Sequence, residues 1–386
     1  MHDFSGFPFP VQLSRELARR GHRVLHLHCP SYRAGKGDLE RREDDPATLE
    51  IEAVSLDRPF DKYSGRRILQ ERSYGRRLLR RVEQERPNVV LSGNTPLLAQ
   101  DTLISGVDAP VVFWHQDVYS LPMQTEAKQR LPVVGSLVGK RFVGIERKLL
   151  AKSAAVITIS EDFRATLLCW GLPADKLHVI ENWAPLEELP TAPKDNEWAR
   201  RHDLADKRVF LYSGTLGRKH DPSLLLRLAQ AFRDEPDVRV VVASEGIGAD
   251  WLSDRPRENL ILLGFQPYGD VPHVLAASDV LVAILERDAG AFAVPSKVLS
   301  YLCAGRPLLA ALPHDNLAAR VIESSGAGVR VDPDDAEGLV EAARRLLDDA
   351  GLRERLGAAG RAYAERTFDI AAIGARFESV LESVSA

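Results

Sequence analysis

Apolar residues gather along this chain in short uninterrupted runs, separated by longer stretches with helical spacing, and the alternation occurs twice. In the first half the runs fall at residues 23–28, 88–92, 111–114 and 154–159. In the second half they fall at 209–212, 238–243, 260–263, 280–285, 307–311 and 328–331. Runs of this kind predict parallel strands covered on both faces. Between them, 11–20 reads as a helix stopped at Gly21, which suits a left-handed C-terminal position. Ser160 stands as the N-cap of a helix opening on Glu161-Asp162-Phe163. Residues 223–232 and 296–303 read as helices of the second half. The pattern predicts two doubly wound α/β sheets, with ligands at the carboxyl ends of their strands.

The domain boundaries follow. Residues 1–185 form the first domain and 207–368 the second, joined by a linker at 186–206 rich in Pro, Glu and Ala. A final helix at 369–386 returns to brace the first domain. A doubly wound domain normally opens on its central strand, whereas this chain opens on the loop Asp3-Phe4-Ser5-Gly6-Phe7-Pro8-Phe9-Pro10. The first strand is therefore expected to be missing, lying upstream of a late start codon or lost from the expressed chain.

Length and composition fit this picture. The 386 residues, 45% hydrophobic and 27% charged, suit two soluble domains, each with a core of its own. Cys29, Cys169 and Cys303 lie far apart, which argues against a disulfide framework and favours a cytoplasmic setting. No apolar run approaches the roughly 20 residues of a membrane span. Residues 1–190 carry 27 Lys/Arg against 25 Asp/Glu, and 191–386 carry 24 against 30. So modest a balance argues against nucleic acid as a partner.

The candidate chemistry is concentrated after residue 205. A strand runs into Ser213-Gly214-Thr215-Leu216-Gly217-Arg218-Lys219-His220-Asp221-Pro222 and then a helix. Glycines let the backbone approach a ligand, and the helix start with Arg218 and Lys219 suits a pyrophosphate. Farther on, Pro295-Ser296-Lys297 opens another helix. There Ser296 can cap the helix or donate to a phosphate, and Lys297 opposes the helix dipole unless an anion lies beside it.

These segments resemble a known family. The 213–220 loop, the Leu263-Gly264-Phe265-Gln266 turn, Ala277-Ser278-Asp279-Val280-Leu281, and Pro295-Ser296-Lys297 through Gly305-Arg306-Pro307 look like the family 4 (group 1) glycosyltransferases. The likeness is nearest the branch that adds deoxyamino sugars such as N-acetylfucosamine to bacterial surface polysaccharides. It covers nearly the whole chain and is more specific after residue 205. It implies a GT-B fold, two Rossmann-like domains facing each other across a cleft. It also implies a nucleotide-sugar co-substrate, most readily UDP-linked, no metal or other cofactor, and retention at the anomeric carbon.

Carried over residue by residue, the resemblance makes Arg218, Lys219 and Lys297 the phosphate neutralisers. Gly214, Thr215 and Gly217 shape their loop, and Phe265 and Gln266 hold the base through backbone groups. Glu245 and Gly246 lie under the nucleotide. Asp288, Ala291 and Phe292 face the donor sugar. His115 sits just past a strand's carboxyl end and points into the crevice near the donor sugar, with Asp117 orienting the acceptor or the imidazole. Gly6 belongs to the acceptor-side loop, whose apolar Phe7-Pro8-Phe9-Pro10 suggests a greasy acceptor. Many members carry two glutamates spaced E-x7-E; aligned on Gly305, those positions hold Phe292 and Ser300, which puts base and sugar specificity in doubt.

A basic amphipathic helix at 66–86, with Arg66, Arg67, Arg72, Arg76, Arg77, Arg80, Arg81 and Arg86, suits either an anionic membrane surface or a solvated face. The same holds from Lys128 to Lys148. A lipid-linked acceptor would favour peripheral contact with the plasma membrane. Asp332-Pro333-Asp334 imitates a metal-binding DxD but reads as a turn. Two other functions remain open: a UDP-sugar 2-epimerase of the same fold, and a sugar-nucleotide-binding scaffold without catalysis.

Overall fold

The computed structural model describes residues 1–61, 64–121, 132–289 and 294–385, which divide into two compact units. Unit 1 comprises Met1–Asn182 with Ile370–Ala386, and unit 2 is Trp183–Asp369.

Unit 1 is built from β1 (His2–Asp3), α1 (Pro8–Arg19), β2 (Val24–His28), β3 (Leu49–Ala53), α2 (Arg67–Glu85), β4 (Val90–Gly93), α3 (Leu97–Gly106), β5 (Val111–His115), α4 (Pro132–Lys152), β6 (Ala155–Thr158), α5 (Glu161–Cys169) and β7 (Leu177–Val179). All its strands pair in parallel, in the order β3-β2-β1-β4-β5-β6-β7. The order reverses between β1 and β4, so that junction is the topological switch point where such sheets bind ligands. The expected absence of the central strand is corrected here. His2 and Asp3 occupy its place, paired with Leu27 and His28 on one side and Ser92 and Gly93 on the other.

Unit 2 continues with α6 (Glu197–Arg201), β8 (Arg208–Ser213), α7 (Ser223–Ala231), β9 (Val238–Ala243), α8 (Ile247–Ser253), β10 (Leu260–Leu263), α9 (Val271–Ala276), β11 (Val280–Ile284), α10 (Lys297–Cys303), β12 (Leu308–Ala311), α11 (Leu317–Ser325), β13 (Gly328–Val331), α12 (Ala336–Asp348) and α13 (Ala350–Thr367). Its parallel order, β10-β9-β8-β11-β12-β13, reverses between β8 and β11. The runs that betrayed these strands are their buried faces: Val240, Val241, Val282, Ala283 and Leu309 are wholly buried. The stretch 186–206 is not a free linker. Leu189, Trp198, Ala199 and Leu204 are buried, and Trp198 Nε1 donates to Gln266 Oε1 at 2.9 Å.

The last helix, α14 (Ile370–Ser385), packs on α1 within unit 1. Phe377 meets the Trp114 ring edge-on at 4.8 Å, and Glu378 accepts from Arg20 at 2.7 Å and His22 at 2.6 Å. None of the described helices is long and apolar enough to cross a membrane.

Candidate active site

The loop after β8 is held open by bonds that reach far along the chain. Tyr301 on α10 accepts from Ser213 N at 2.8 Å and donates back to Ser213 O at 3.1 Å. Tyr212, wholly buried, donates to Thr215 O at 2.8 Å. Leu216 N reaches Glu245 O at 3.1 Å, and Gly248 N reaches Leu216 O at 2.9 Å. Gly214 takes φ +114° and Gly246 φ +115°, a region open to glycine and costly for other residues. A methyl group on Gly246 would also lie 3.0 Å from Leu216 O, so the 245–246 turn fits directly against the 215–217 loop.

Beside this loop stands Lys297. Its stem is partly exposed, but Nζ is shut off from solvent, lies 3.4 Å from the centre of the Tyr212 ring, and has no hydrogen-bond partner among the described residues. A Cβ on Gly214 would sit 3.5 Å from Lys297 Cε, in ordinary van der Waals contact, so the lysine stem lies directly against this glycine. Burial pushes the ammonium well below its usual range. A buried lysine that lies over an aromatic face, with no hydrogen bond among the described residues, is suited to receive an anion.

The other residues of this region take different places. Arg218 is exposed and Lys219 half-buried, with Lys219 O accepting from Glu286 N at 2.9 Å. Glu286 is raised by burial and by the negative charges of Asp221 and Asp288. Thr215 and Asp288 are exposed, while Gly217, Glu245, Phe265 and Ser300 are half-buried. The Gln266 side chain is committed to Trp198 and to Gly264 O. Ser296 is exposed and does not cap α10, correcting that expectation. Ala291 and Phe292 lie outside the described residues. The DxD imitation is engaged by Arg287, which pairs with Asp332 and, at 2.7 Å, with Asp334.

In unit 1 the switch point is polar and buried. Asp3 accepts from Phe7 N at 2.7 Å and from Asn94 Nδ2 at 2.8 Å, and Asn94 holds a left-handed φ of 52°. Burial raises the Asp3 carboxyl to about 6 against these bonds. Gly6, the expected acceptor-side glycine, is itself buried: Gly37 N donates to Gly6 O at 2.9 Å, and Lys36 Nζ donates to Cys29 O at 3.0 Å and Ser5 O at 3.3 Å. Below lies an imidazole network in which His2 bonds Ser92 at 3.0 Å and Tyr74 at 2.9 Å, and His26 bonds Ser14 at 2.8 Å.

His115 does not stand open at the strand end. It is wholly buried, and its Nε2 lies 2.9 Å from Glu146 Oε1 on α4. Glu146 also accepts from Tyr119 N and Ser120 N, each at 2.9 Å. Burial alone would raise this carboxyl, but the bonds from His115 and Ser120 outweigh it and hold it below the usual range. Asp117 sits half-exposed on the loop that this carboxylate ties down. Sequence reasoning missed Glu146, Asn94, Lys36, Tyr212 and Tyr301, because each acts through a partner distant in sequence or through a ring face.

Helix α2 forms as expected, but its charges divide. Arg67 pairs with Glu71, Arg77 with Asp57 and Arg81 with Glu52, while Arg66, Arg72, Arg76 and Arg80 are exposed and form no ion pair among the described residues. Ile68 and Leu69 on α2, and Leu137 and Val138 on α4, are exposed apolar residues. Lys128 lies outside the described residues.

Known proteins carry the same architecture. Residues 10–183 match the family described as a glycosyl transferase 4-like domain, and residues 194–363 match glycosyl transferases group 1. A protein of Escherichia coli K12 named for colanic acid biosynthesis glycosyl transfer, WcaI, is 28% identical over 61% of this chain and 58% of its own. The alpha-D-kanosaminyltransferase of Streptomyces kanamyceticus is 24% identical over 62% of this chain and 63% of its own. The chain thus spans about six-tenths of these relatives' lengths. The crystal structure of Anabaena HepE with UDP and glucose superposes with a TM-score of 0.68 at 15% identity, covering 99% of this chain and 98% of that one. Residues 10–183 thus belong to the glycosyl transferase 4-like family and residues 194–363 to glycosyl transferases group 1, each on a parallel doubly wound sheet, in a chain with the GT-B fold.

Proposed function

We propose that the chain moves a sugar from a UDP-linked donor, held by unit 2, to an acceptor hydroxyl. The observation that carries this reading is the buried, unpartnered Lys297 ammonium beside Gly214. In the reaction the bond from the anomeric carbon to the diphosphate breaks and the bond to the acceptor oxygen forms. The acceptor proton passes to a donor phosphate oxygen, and UDP leaves with the negative charge. Lys297, with Arg218 and Lys219 on the loop after β8, stabilises that charge as it develops, so no metal is required. Family likeness supports a retaining course. The UDP part draws support from the fold shared with HepE, an amino-sugar donor from the kanosaminyltransferase, and a surface-polysaccharide role from WcaI.

The acceptor fits a lipid-linked sugar at the plasma membrane. Arg66, Arg72, Arg76 and Arg80, with Ile68 and Leu69 on the same helix, would supply charge and anchors, each arginine contributing about 1 kcal/mol at an anionic surface. The test is UDP release from a panel of UDP-sugars in EDTA, followed by product NMR for the anomer. Release that appears only when magnesium is restored overturns the metal-free mechanism, and failure to bind UDP overturns the whole reading. Co-sedimentation with phosphatidylglycerol vesicles checks the membrane contact, which should vanish at high salt.

A further inference from the structure

The amino-terminal edge of the unit 2 sheet, opposite the loop after β8, carries a groove of about 390 Å³ lined by Arg227, Gln230, Ala231, Arg233, Arg257 and Val340. Guanidinium groups reach it from three stretches of chain. Arg227 stands on α7, Arg233 on the turn from α7 into β9, and Arg257 on the turn into β10. The fold makes them converge: β9 and β10 lie side by side, and α7 runs back from the carboxyl end of β8 toward their start. Ala231 and Val340 add an apolar wall.

The charges of this groove are poorly answered. Neither Arg227 nor Arg257 forms an ion pair among the described residues, and Arg257 Nη1 donates to the neighbouring Pro256 O at 2.8 Å. Arg233 meets Asp234, the next residue, at 3.3 Å, with both side chains largely exposed. The other carboxylates of that turn are engaged elsewhere. Glu235 pairs with Arg208 at 2.8 Å and with Arg344 at 3.0 Å, and Asp237 pairs with Arg208 at 2.7 Å. A concave surface lined by charge of one sign focuses its field and gathers counter-ions. Each guanidinium is a rigid fork that can hold two oxygens of one phosphate, and Gln230 can add an amide donor. The volume is that of a small-molecule site.

We propose that this groove is a second anion site of unit 2, apart from the one beside Lys297, and that it takes a small soluble molecule carrying a diphosphate. One phosphate would leave a guanidinium unanswered, whereas a diphosphate offers oxygens to all three. A lipid headgroup shares that chemistry. The exposed large apolar residues among those described, Ile68, Leu69, Leu137, Val138 and Ile247, are not among the residues that line the groove, so none of them would anchor an acyl chain there.

Calorimetric titration of the full chain with inorganic pyrophosphate, at physiological ionic strength, tests the proposal. Two binding events are expected, and Lys297→Ala should weaken one while leaving the other intact. Arg227→Ala and Arg257→Ala should do the reverse, each weakening the groove's event roughly tenfold, the scale of a lost charge-assisted hydrogen bond. Arg257→Lys keeps the charge and loses the fork, so its loss should be smaller. Both arginines are exposed, and thermal melts should show the variants folded as the parent is. Pyrophosphate binding that Lys297→Ala abolishes completely, or that both alanine variants leave unchanged, overturns the proposal. If Lys297→Ala changes nothing, the donor-site reading fails and the arginine variants still report on the groove. The two alanine variants should co-sediment with phosphatidylglycerol vesicles as the parent does. A loss there would give the groove to lipid headgroups and overturn the soluble ligand.

Discussion

The two sheets share one topology and treat their switch points in opposite ways. Unit 1 packs polar groups there: Asp3 tied to Asn94 and Phe7, His2 to Ser92 and Tyr74, and His26 to Ser14. Unit 2 packs apolar side chains under β8 and β11 and holds a buried lysine, Lys297, whose Nζ has no hydrogen-bond partner among the described residues. Hydrogen-bonded side chains hold one another in place, whereas a buried charge without such a bond is suited to an ionic counterpart. Unit 1 thus spends its polar groups on one another at the switch point, and unit 2 holds a cation there that hydrogen bonds do not engage among the described residues.

That contrast can be broken experimentally, and the largest effect is expected at the cation. Lys297→Ala should lower turnover by roughly 10²-fold, the scale of one lost stabiliser of developing charge. Unchanged kcat with UDP-glucose would remove Lys297 from the chemistry. Next, Gly246→Ala should destabilise unit 2 by about 1–3 kcal/mol, because the residue combines a left-handed φ with close approach to Leu216 O. Urea unfolding followed by hydrogen exchange should place the loss in unit 2 and spare unit 1.

Acid should single out unit 1. Burial lowers His2 to about 3 and His28 to about 4, and lowers His26 strongly. Below their unfolded value of 6.5 the unfolded chain binds more protons at these sites, so stability falls steadily from pH 6.5 toward pH 4. Asp3, raised to about 6 in the fold, acts in the other direction, but it is one group against three. Amide exchange in β1, β2 and β4 should quicken over that range before exchange in β8 and β9 does. Equal acceleration in both units would show that the imidazoles are not held neutral.

The smallest effect is expected at Tyr301→Phe, which removes both bonds to the Ser213 backbone and should weaken UDP binding by about 1 kcal/mol, or fivefold. An unchanged Kd would mean that Gly214 and Tyr212 hold the loop unaided.

What the sequence disclosed follows the same divide. Strands buried on both faces, such as β9 and β11, announce themselves as unbroken apolar runs. The edge strand β3 reads Leu49-Glu50-Ile51-Glu52-Ala53, with solvent on one side, and β7 has only three residues, so neither stands out. Strand β1 has two residues, both polar, and only its pairing on both sides reveals it. In the site, the glycine and basic pattern of 213–219 was legible because it is local. Asp3 with Asn94, Ser213 with Tyr301 and His115 with Glu146 are separated by 91, 88 and 31 residues, and no spacing rule joins them. The segment 186–206 misled because its composition resembles a linker while Trp198 anchors it.

The placement of α14 has a consequence for biosynthesis. Unit 1 is written in two instalments, with all of unit 2 translated between them. Until Phe377 arrives to cover Trp114, and Glu378 to meet Arg20 and His22, the α1 face of unit 1 has no lid. On the ribosome the downstream domain can thus finish folding before the upstream one. A stop codon between residues 370 and 377 would leave a complete unit 2 attached to a unit 1 whose Trp114 surface stays sticky. Any effort to produce unit 1 alone would need the last helix spliced directly onto residue 182.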